Sequence, residues 1–359
     1  MFKERIRSAR VAAGLTLEEM GAALGLSHAA VQRFEKGTLV PSSAHLLGIA
    51  RACNVRTEYF FRAESVQLRN IEFRKHAGFS KTLQDAAVMR VRDQVEKHME
   101  LISAFPTPPL PAFKRPSGPI QPITHYDETE ALALTLRKKW NLGTAPIRDL
   151  TDTLESRGLI VVRVNIDHAG FSGLSALAVR DGSHPYPILA VSSRWPGDRQ
   201  RSTLAHELGH LILEGKLATA IDHEKSCDRF AAAFLVPKPV VFQMLGRTRH
   251  ALEWRELYCL KHEFGLSMLG WLMRARHCEI ITEATYVRMI KEYKARGWKE
   301  AEPGKAVQTE VPQLFEQLVY RALAEQLISD AKAAELLGVP LLKFHKQRLM
   351  EWADDPAHQ

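Results

Sequence analysis

The chain has 359 residues, 45% hydrophobic and 25% charged, the make-up of a globular protein of two or three domains rather than a fibrous or disordered one. It has no 18-residue apolar run and no basic-then-apolar start, so neither a membrane span nor a signal peptide is expected and the cytoplasm is the expected compartment. Cys53, Cys227, Cys259 and Cys278 lack CxxC spacing and read as reduced thiols, and a net charge of +8 is compatible with nucleic acid without pointing to it.

Residues 2–62 read as five short helices. Phe2 to Ala13 is amphipathic, with Ile6 and Val11 inward and Arg5, Arg7 and Arg10 outward, and Gly14 ends it. Thr16 caps a second helix that runs to Leu24, Gly25-Leu26 makes a tight turn, and Ser27 caps a third helix from His28 to Lys36. Pro41-Ser42-Ser43 opens a fourth helix through Cys53, and Arg56 to Phe61 makes a fifth. Helix, glycine-containing turn, helix is the helix-turn-helix signature, whose second helix enters the major groove. The groove-facing residues would be Ser27, His28, Ala29, Gln32 and Arg33; Gln bonds adenine and Arg guanine bidentately. Gly14-Leu15-Thr16, Leu24-Gly25-Leu26-Ser27 and Glu35-x-Gly37 resemble the XRE/Cro/CI repressor family over almost its full domain. That resemblance implies a double-stranded DNA operator with two-fold symmetry and a homodimer. A helical bundle that binds protein is the alternative.

Residues 66–104 read as polar and helix-rich, with one long helix from Leu83 to Phe105, a spacer or dimerisation arm. Seven prolines from Pro106 to Pro122 then forbid helix and favour an extended, semi-rigid linker between separately folding units.

From residue 125 onward, helices at Thr129–Trp140 and Ile147–Arg157 precede strands at Leu159–Val164, Ala176–Val179 and Pro187–Ser192, the last two bracketing an Asp181-Gly182 turn. A free edge of such a sheet would take an extended peptide by strand addition. Arg194, Arg199 and Arg201 read as solvated loop charges.

Thr203 to Leu213 reads TLAHELGHLIL. His206 and His210 stand four apart, on one face of a helix, and can grip one metal ion, while Glu207 projects beside it. Apolar neighbours bury these groups, and buried polar groups cost free energy unless they are partnered. Two core histidines bonded to carbonyls are the bland reading; a zinc site with Glu207 as general base is the sharper one. A third ligand is needed. Glu224 opens a second apolar helix that stops before Pro237, and is favoured because it completes a His₂Glu set; Asp222, His223, Asp228 and Glu214 are also available. HELGH followed by the run from Glu224 to Pro237 resembles the ImmA/IrrE metallopeptidase family. The resemblance implies Glu224 as the third Zn²⁺ ligand and cleavage of repressor proteins, which switches on stress or mobile-element genes. Cys227 stands where that family has alanine, and reads as a small buried residue. His223, Tyr186 and Tyr258 are candidates to steady an oxyanion.

Residues 250–300 read as helices, as do Leu314–Leu327, Asp330–Leu337 and Leu341–Leu349. Ala333 to Val339 has a helix-turn-helix cadence, but Pro340 replaces a good cap and no basic recognition face is expected after it, so a pair packed on the peptidase unit is the favoured reading. No internal repeat is expected.

The expected fold is α+β and mostly helical: a helix-turn-helix domain at 1–65, spacer and linker at 66–124, a zincin-like metallopeptidase domain with a small sheet at 125–245, and a helical extension at 246–359. The expected function is a DNA-binding regulator with a zinc-dependent endopeptidase domain that acts on a repressor or partner protein. The alternative is a repressor or antitoxin whose zinc domain senses a signal or docks a toxin.

Overall fold

A computed structural model describes residues 2–62, 66–75, 78–116, 121–166, 168–180 and 185–351. The first unit contains α1 (Phe2–Ala13), α2 (Leu17–Leu24), α3 (His28–Lys36), α4 (Ser43–Ala52) and a 3₁₀ turn at Thr57–Phe61, which replaces the expected fifth helix. Its core is small and separate: Ile6, Met20, Val31, Phe34, Ile49 and Phe60. Thr16 caps α2 in a reciprocal box with Glu19, and Gly25 closes it at φ 66°, where a side chain would be strained.

A four-stranded sheet organises the rest. Its strands are β1 (Gln67–Lys75), β2 (Ile160–Val164), β3 (Phe171–Val179) and β4 (Tyr186–Ser192), in the order β1-β3-β4-β2. β1 and β4 both run antiparallel to β3, and β2 runs parallel to β4. The Asp181-Gly182 turn expected between β3 and β4 lies outside the described residues.

Both faces of the sheet are covered, so the architecture is α/β/α in layers. α5 (Lys81–Ala104) lies on one face, and α6 (Tyr126–Lys139), α7 (Leu150–Glu155), α8 (Gly197–Leu213) and α9 (His223–Leu235) belong to the other. α10 (Lys238–Leu245), α11 (Trp254–Phe264), α12 (Met268–His277) and α13 (Glu283–Ala295) extend the α8 side. α14 (Leu314–Ala324), α15 (Asp330–Leu337) and α16 (Leu341–Arg348) join α5. Alternation sorts the strands between two cores: Val161, Leu189 and Val191 enter the α8 core, and Ile160, Val162, Ile188 and Ala190 the α5 core.

Residues 66–104 correct the helix-rich expectation, because they begin with a strand. Leu68, Ile71 and Phe73 all pack on the α5 core although their spacing breaks a two-residue period. Asn70 at φ 52° marks the reason: the register slips between Arg69 and Glu72, a bulge that returns Ile71 and Phe73 to the face of Leu68.

The proline-rich stretch is extended but not free. Phe105 and Leu110 are buried in the α5 core, and Ile123 exchanges backbone hydrogen bonds with Lys216 (2.8 Å) and Ala218 (2.9 Å). The helix-turn-helix unit is also docked. Arg5, expected outward, is 1% exposed and pairs with buried Glu96 of α5 at 2.6 Å. Burial pushes the Glu96 carboxyl up against the pull of Arg5. Arg90 of α5 donates to the Ala12 carbonyl at 2.6 Å, and Arg62 bridges to Glu335 at 2.9 Å.

This buried pair yields a stability prediction. Arg5→Ala should cost about 3 kcal/mol because it removes the close buried partner of Glu96 and leaves it only Arg92, at 3.4 Å. Replacing both, Arg5→Met with Glu96→Leu, should recover most of that. Urea unfolding followed by circular dichroism checks both; an Arg5→Ala chain as stable as the parent would contradict the docking.

Candidate metal centre and nucleic-acid interface

α8 begins at Gly197 after Pro196 and carries His206, Glu207 and His210 fully inside the protein, at 1%, 0% and 4% exposure. α9 begins after Asp222, whose side chain accepts from the Lys225 amide at 3.0 Å, and Glu224 sits in its first turn. The two helices cross at Gly209. A Cβ there would stand 3.3 Å from Cys227 Cα and 3.3 Å from Phe230 Cδ1, tight enough that any side chain would press the helices apart. Cys227 is fully buried at this crossing.

The crossing brings three donors together. His206 Nε2 and His210 Nε2 are 3.1 Å apart, and Glu224 oxygens lie 3.3 Å from the first and 3.7 Å from the second. A tetrahedral ion with arms of about 2.0–2.2 Å separates its donors by roughly 3.3–3.6 Å, so the set fits zinc. Burial, and then the neighbouring His206, push the His210 pKa down, which keeps that imidazole neutral as a ligand must be. His206 is oriented from behind: its Nδ1 lies 2.8 Å from Asp228 Oδ1, and Arg74 of β1 holds the same oxygen at 3.2 Å. Partial burial opposes the Asp228 charge, but His206 and Arg74 hold its carboxyl below the ordinary range.

Glu207 is the unusual group. Both its oxygens are buried with no hydrogen-bond partner among the described residues, and burial pushes its pKa up to about 7. A carboxyl poised there suits proton transfer near neutrality.

The remaining sequence candidates separate. The ring of exposed His223 lies 4.9 Å from that of His210, beside the donors. His210, His223 and Cys227 also form a close group, although burial raises the Cys227 thiol far above its usual pKa. Tyr186 packs on the α5 core and Tyr258 accepts the Lys305 amide at 3.3 Å, so neither joins the donors. Glu214 is engaged elsewhere, with Asn70 and Arg115. The arginines expected as solvated charges are engaged too: Arg199 stacks on Trp195 at 3.3 Å, and buried Arg201 pairs with Glu310. Sequence reasoning missed Arg74, which reaches the site from a strand 154 residues before its partner Asp228 and leaves no local signal.

In the first unit, Ser27 caps α3 by accepting from the Ala30 amide at 3.3 Å. Val31 and Phe34 turn inward, so Ser27, His28, Ala29, Gln32 and Arg33 share the exposed side. Arg10 and Glu35 pair beneath α3 at 2.5 Å, which removes Glu35 from that surface.

The pKa of Glu207 gives a pH prediction for metal-stripped protein. Its folded value lies above the ordinary 4.5, so the folded state holds a proton that the unfolded state releases. The Glu207 contribution to stability should therefore fall as pH rises from about 5 to about 8, against the opposite contribution of His98, His210 and His277, whose pKa burial lowers. Buried Glu155, also pushed up to about 7 by burial, adds a fall of the same sign. Glu207→Gln and Glu155→Gln should each make stability rise more, or fall less, with pH than in the parent in denaturant titrations across that range.

Comparison with known proteins agrees with this division. Residues 6–60 match the helix-turn-helix family model, and residues 169–275 match that of the IrrE N-terminal-like domain. A curated relative, the radiation response metalloprotease IrrE of Deinococcus radiodurans, is 36% identical over 86 residues, 20% of this chain and 26% of that protein. The chain thus spans about a quarter of the relative's length. No helix among the described residues is long and apolar enough to cross a membrane. This chain joins an XRE-type helix-turn-helix unit to a domain of the ImmA/IrrE metallopeptidase kind.

Proposed function

We propose that the protein is a DNA-binding transcriptional regulator whose second unit is a zinc-dependent endopeptidase. Its substrate would be a repressor or partner protein, in a cytoplasmic stress, mobile-element or toxin–antitoxin response. The observation that carries the reading is the meeting of His206, His210 and Glu224 beside an unpartnered buried Glu207. A docking or structural centre has no use for such a base.

Zinc held by His206, His210 and Glu224 would polarise the scissile carbonyl and acidify the attacking water. Glu207 accepts the proton from that water and delivers it to the leaving amine. Asp228, backed by Arg74, holds the His206 ring in its tautomer, with Nδ1–H donating to the carboxylate. The buried surroundings keep bulk water from Glu207. A peptide would reach the centre extended, as a strand added to β1. That strand lies along α8, tied by Asn70 to Glu214 (3.1 Å) and by Arg74 to the Ser202 carbonyl (2.9 Å), and it already fills the edge of β3.

On DNA, α3 would lie in the major groove of a two-fold operator bound by a homodimer, with Ser27, His28 and Ala29 at its entry. Gln32 and Arg33 supply the bidentate contacts.

Elemental analysis should find about one zinc per chain, lost in a His206→Ala, His210→Ala double variant. Glu207→Gln should keep the metal while cleavage of a co-expressed substrate falls on the order of 10²–10⁴-fold. A Glu207→Gln protein that still regulates fully would favour a sensor or toxin-docking role over proteolysis. For DNA, Gln32→Ala or Arg33→Ala should each cost on the order of 1–3 kcal/mol and relax base preference in gel-shift titrations. Unaltered shifts would remove these residues from the reading surface.

A further inference from the structure

The C-terminal pair α15–α16 repeats α2–α3 position by position, each residue displaced by 313 (Gly338 against Gly25). Thr16 and Ser329 both cap by accepting from the amide three residues on. Gly25 and Gly338 both close the first helix in the left-handed region, at φ 66° ψ 29° and φ 70° ψ 23°. Leu26 donates to the Gly21 carbonyl at 2.9 Å, and Val339 to that of Ala334 at 3.0 Å. Ser27 and Pro340 are both extended, at φ −72° ψ 152° and φ −60° ψ 144°. Two inward positions correspond as well, Met20 with Ala333 and Val31 with Phe344, all four at 0% exposure, whereas buried Phe34 is matched by half-buried Gln347. Pro340 thus keeps the extended backbone of the position before a helix, although it offers no side-chain acceptor in place of that of Ser27.

The surface of α16 corrects the expectation of no basic face. Between Leu341 and Met350 there is no acidic residue, whereas Lys343, His345, Lys346 and Arg348 are all exposed. Lys346 occupies the position of Arg33, and His345 that of Gln32. The nearest carboxylate, Asp330, is held by Arg348 at 3.0 Å and His345 at 3.1 Å, so it does not oppose a polyanion. Leu342, 71% exposed at the position of Ala29, offers an apolar tip of the kind that meets a thymine methyl. The opposite side of the pair is consumed by the α5 core through Ala333, Ala334, Leu336 and Phe344, which leaves α16 facing out.

We propose that α15–α16 is a second helix-turn-helix that binds duplex DNA, with α16 in the major groove, Lys346 reading bases and Lys343 neutralising phosphate. One chain then carries two reading helices. The second is tied to the first unit by the Arg62–Glu335 bridge and by Arg56 donating to the Val339 carbonyl at 3.0 Å.

The test uses the full-length protein and duplexes selected from a random-sequence pool. The parent should select a composite sequence with one part for each helix. Lys343→Ala with Lys346→Ala should lose the α16 part, weaken binding about tenfold at fixed salt, and lower the log–log salt slope by about one, for the phosphate that Lys343 neutralises. Gln32→Ala with Arg33→Ala should lose the other part and keep this one, so failure of either unit is read separately. Leu342→Glu, which sets a carboxylate against the groove, should reproduce the lysine result; both sites are exposed, and unchanged unfolding midpoints confirm the fold. If the α16 variants select the parent sequence with parental affinity and salt slope, the proposal is overturned, and the exposed face is left to a protein partner.

Discussion

The close crossing of α8 and α9 is the constraint on which the candidate metal centre depends. Two imidazoles one turn apart are supplied by α8 alone, but the carboxylate that completes the set arrives on another helix. Gly209 and Cys227 let the helix backbones approach closely enough for Glu224 to stand within 3.3 Å of His206 Nε2. Glu207, next to His206 on α8, is fully buried, and that burial raises its pKa, so the candidate base stands beside the candidate ligands. Cys227 in place of alanine keeps the volume small, and its buried, protonated thiol behaves as a packing residue.

Around that crossing the sheet is sealed on both faces, and the chain uses distant segments to do it. β1 and α5 precede the peptidase segment and α14–α16 follow it, yet all lie in or against one sheet. The helix-turn-helix unit keeps its own core but rests on α5 through the Arg5–Glu96 pair and on α15 through Arg62. β1 runs from that unit directly to Arg74, which braces Asp228 behind His206. Arg74 thus stands twelve residues after Arg62, the last residue described in the helix-turn-helix unit.

Much of the chemistry was legible in one dimension because it is local. His206, Glu207 and His210 share a helix face by spacing alone, and Thr16, Gly25, Ser27 and Gly37 mark helix ends through backbone requirements that neighbouring residues satisfy. The exposed edge of α3 followed from the same periodicity, with Val31 and Phe34 inward.

Other features had to wait for the fold. Glu224 could be favoured by its chemistry, but only the helix crossing separates it from Glu214, which faces Arg115 and Asn70. The bulge at Asn70 shifts the alternation of β1 by one residue, which hides a strand from any period-two reading. Arg5 looks like a surface charge until Glu96, 91 residues away, makes its burial tolerable. The helix-turn-helix cadence of Ala333 to Val339 was visible in the sequence but set aside because Pro340 replaces a polar cap, while its equivalence to α2–α3 lies in backbone angles and burial. The sequence by itself determined where helices begin and end and which side chains can bind a metal or a base, because those depend on neighbours within about four residues. The tertiary structure alone decided which carboxylate meets the imidazoles, which charges are buried and which segments complete the sheet, because those contacts join residues far apart in the chain.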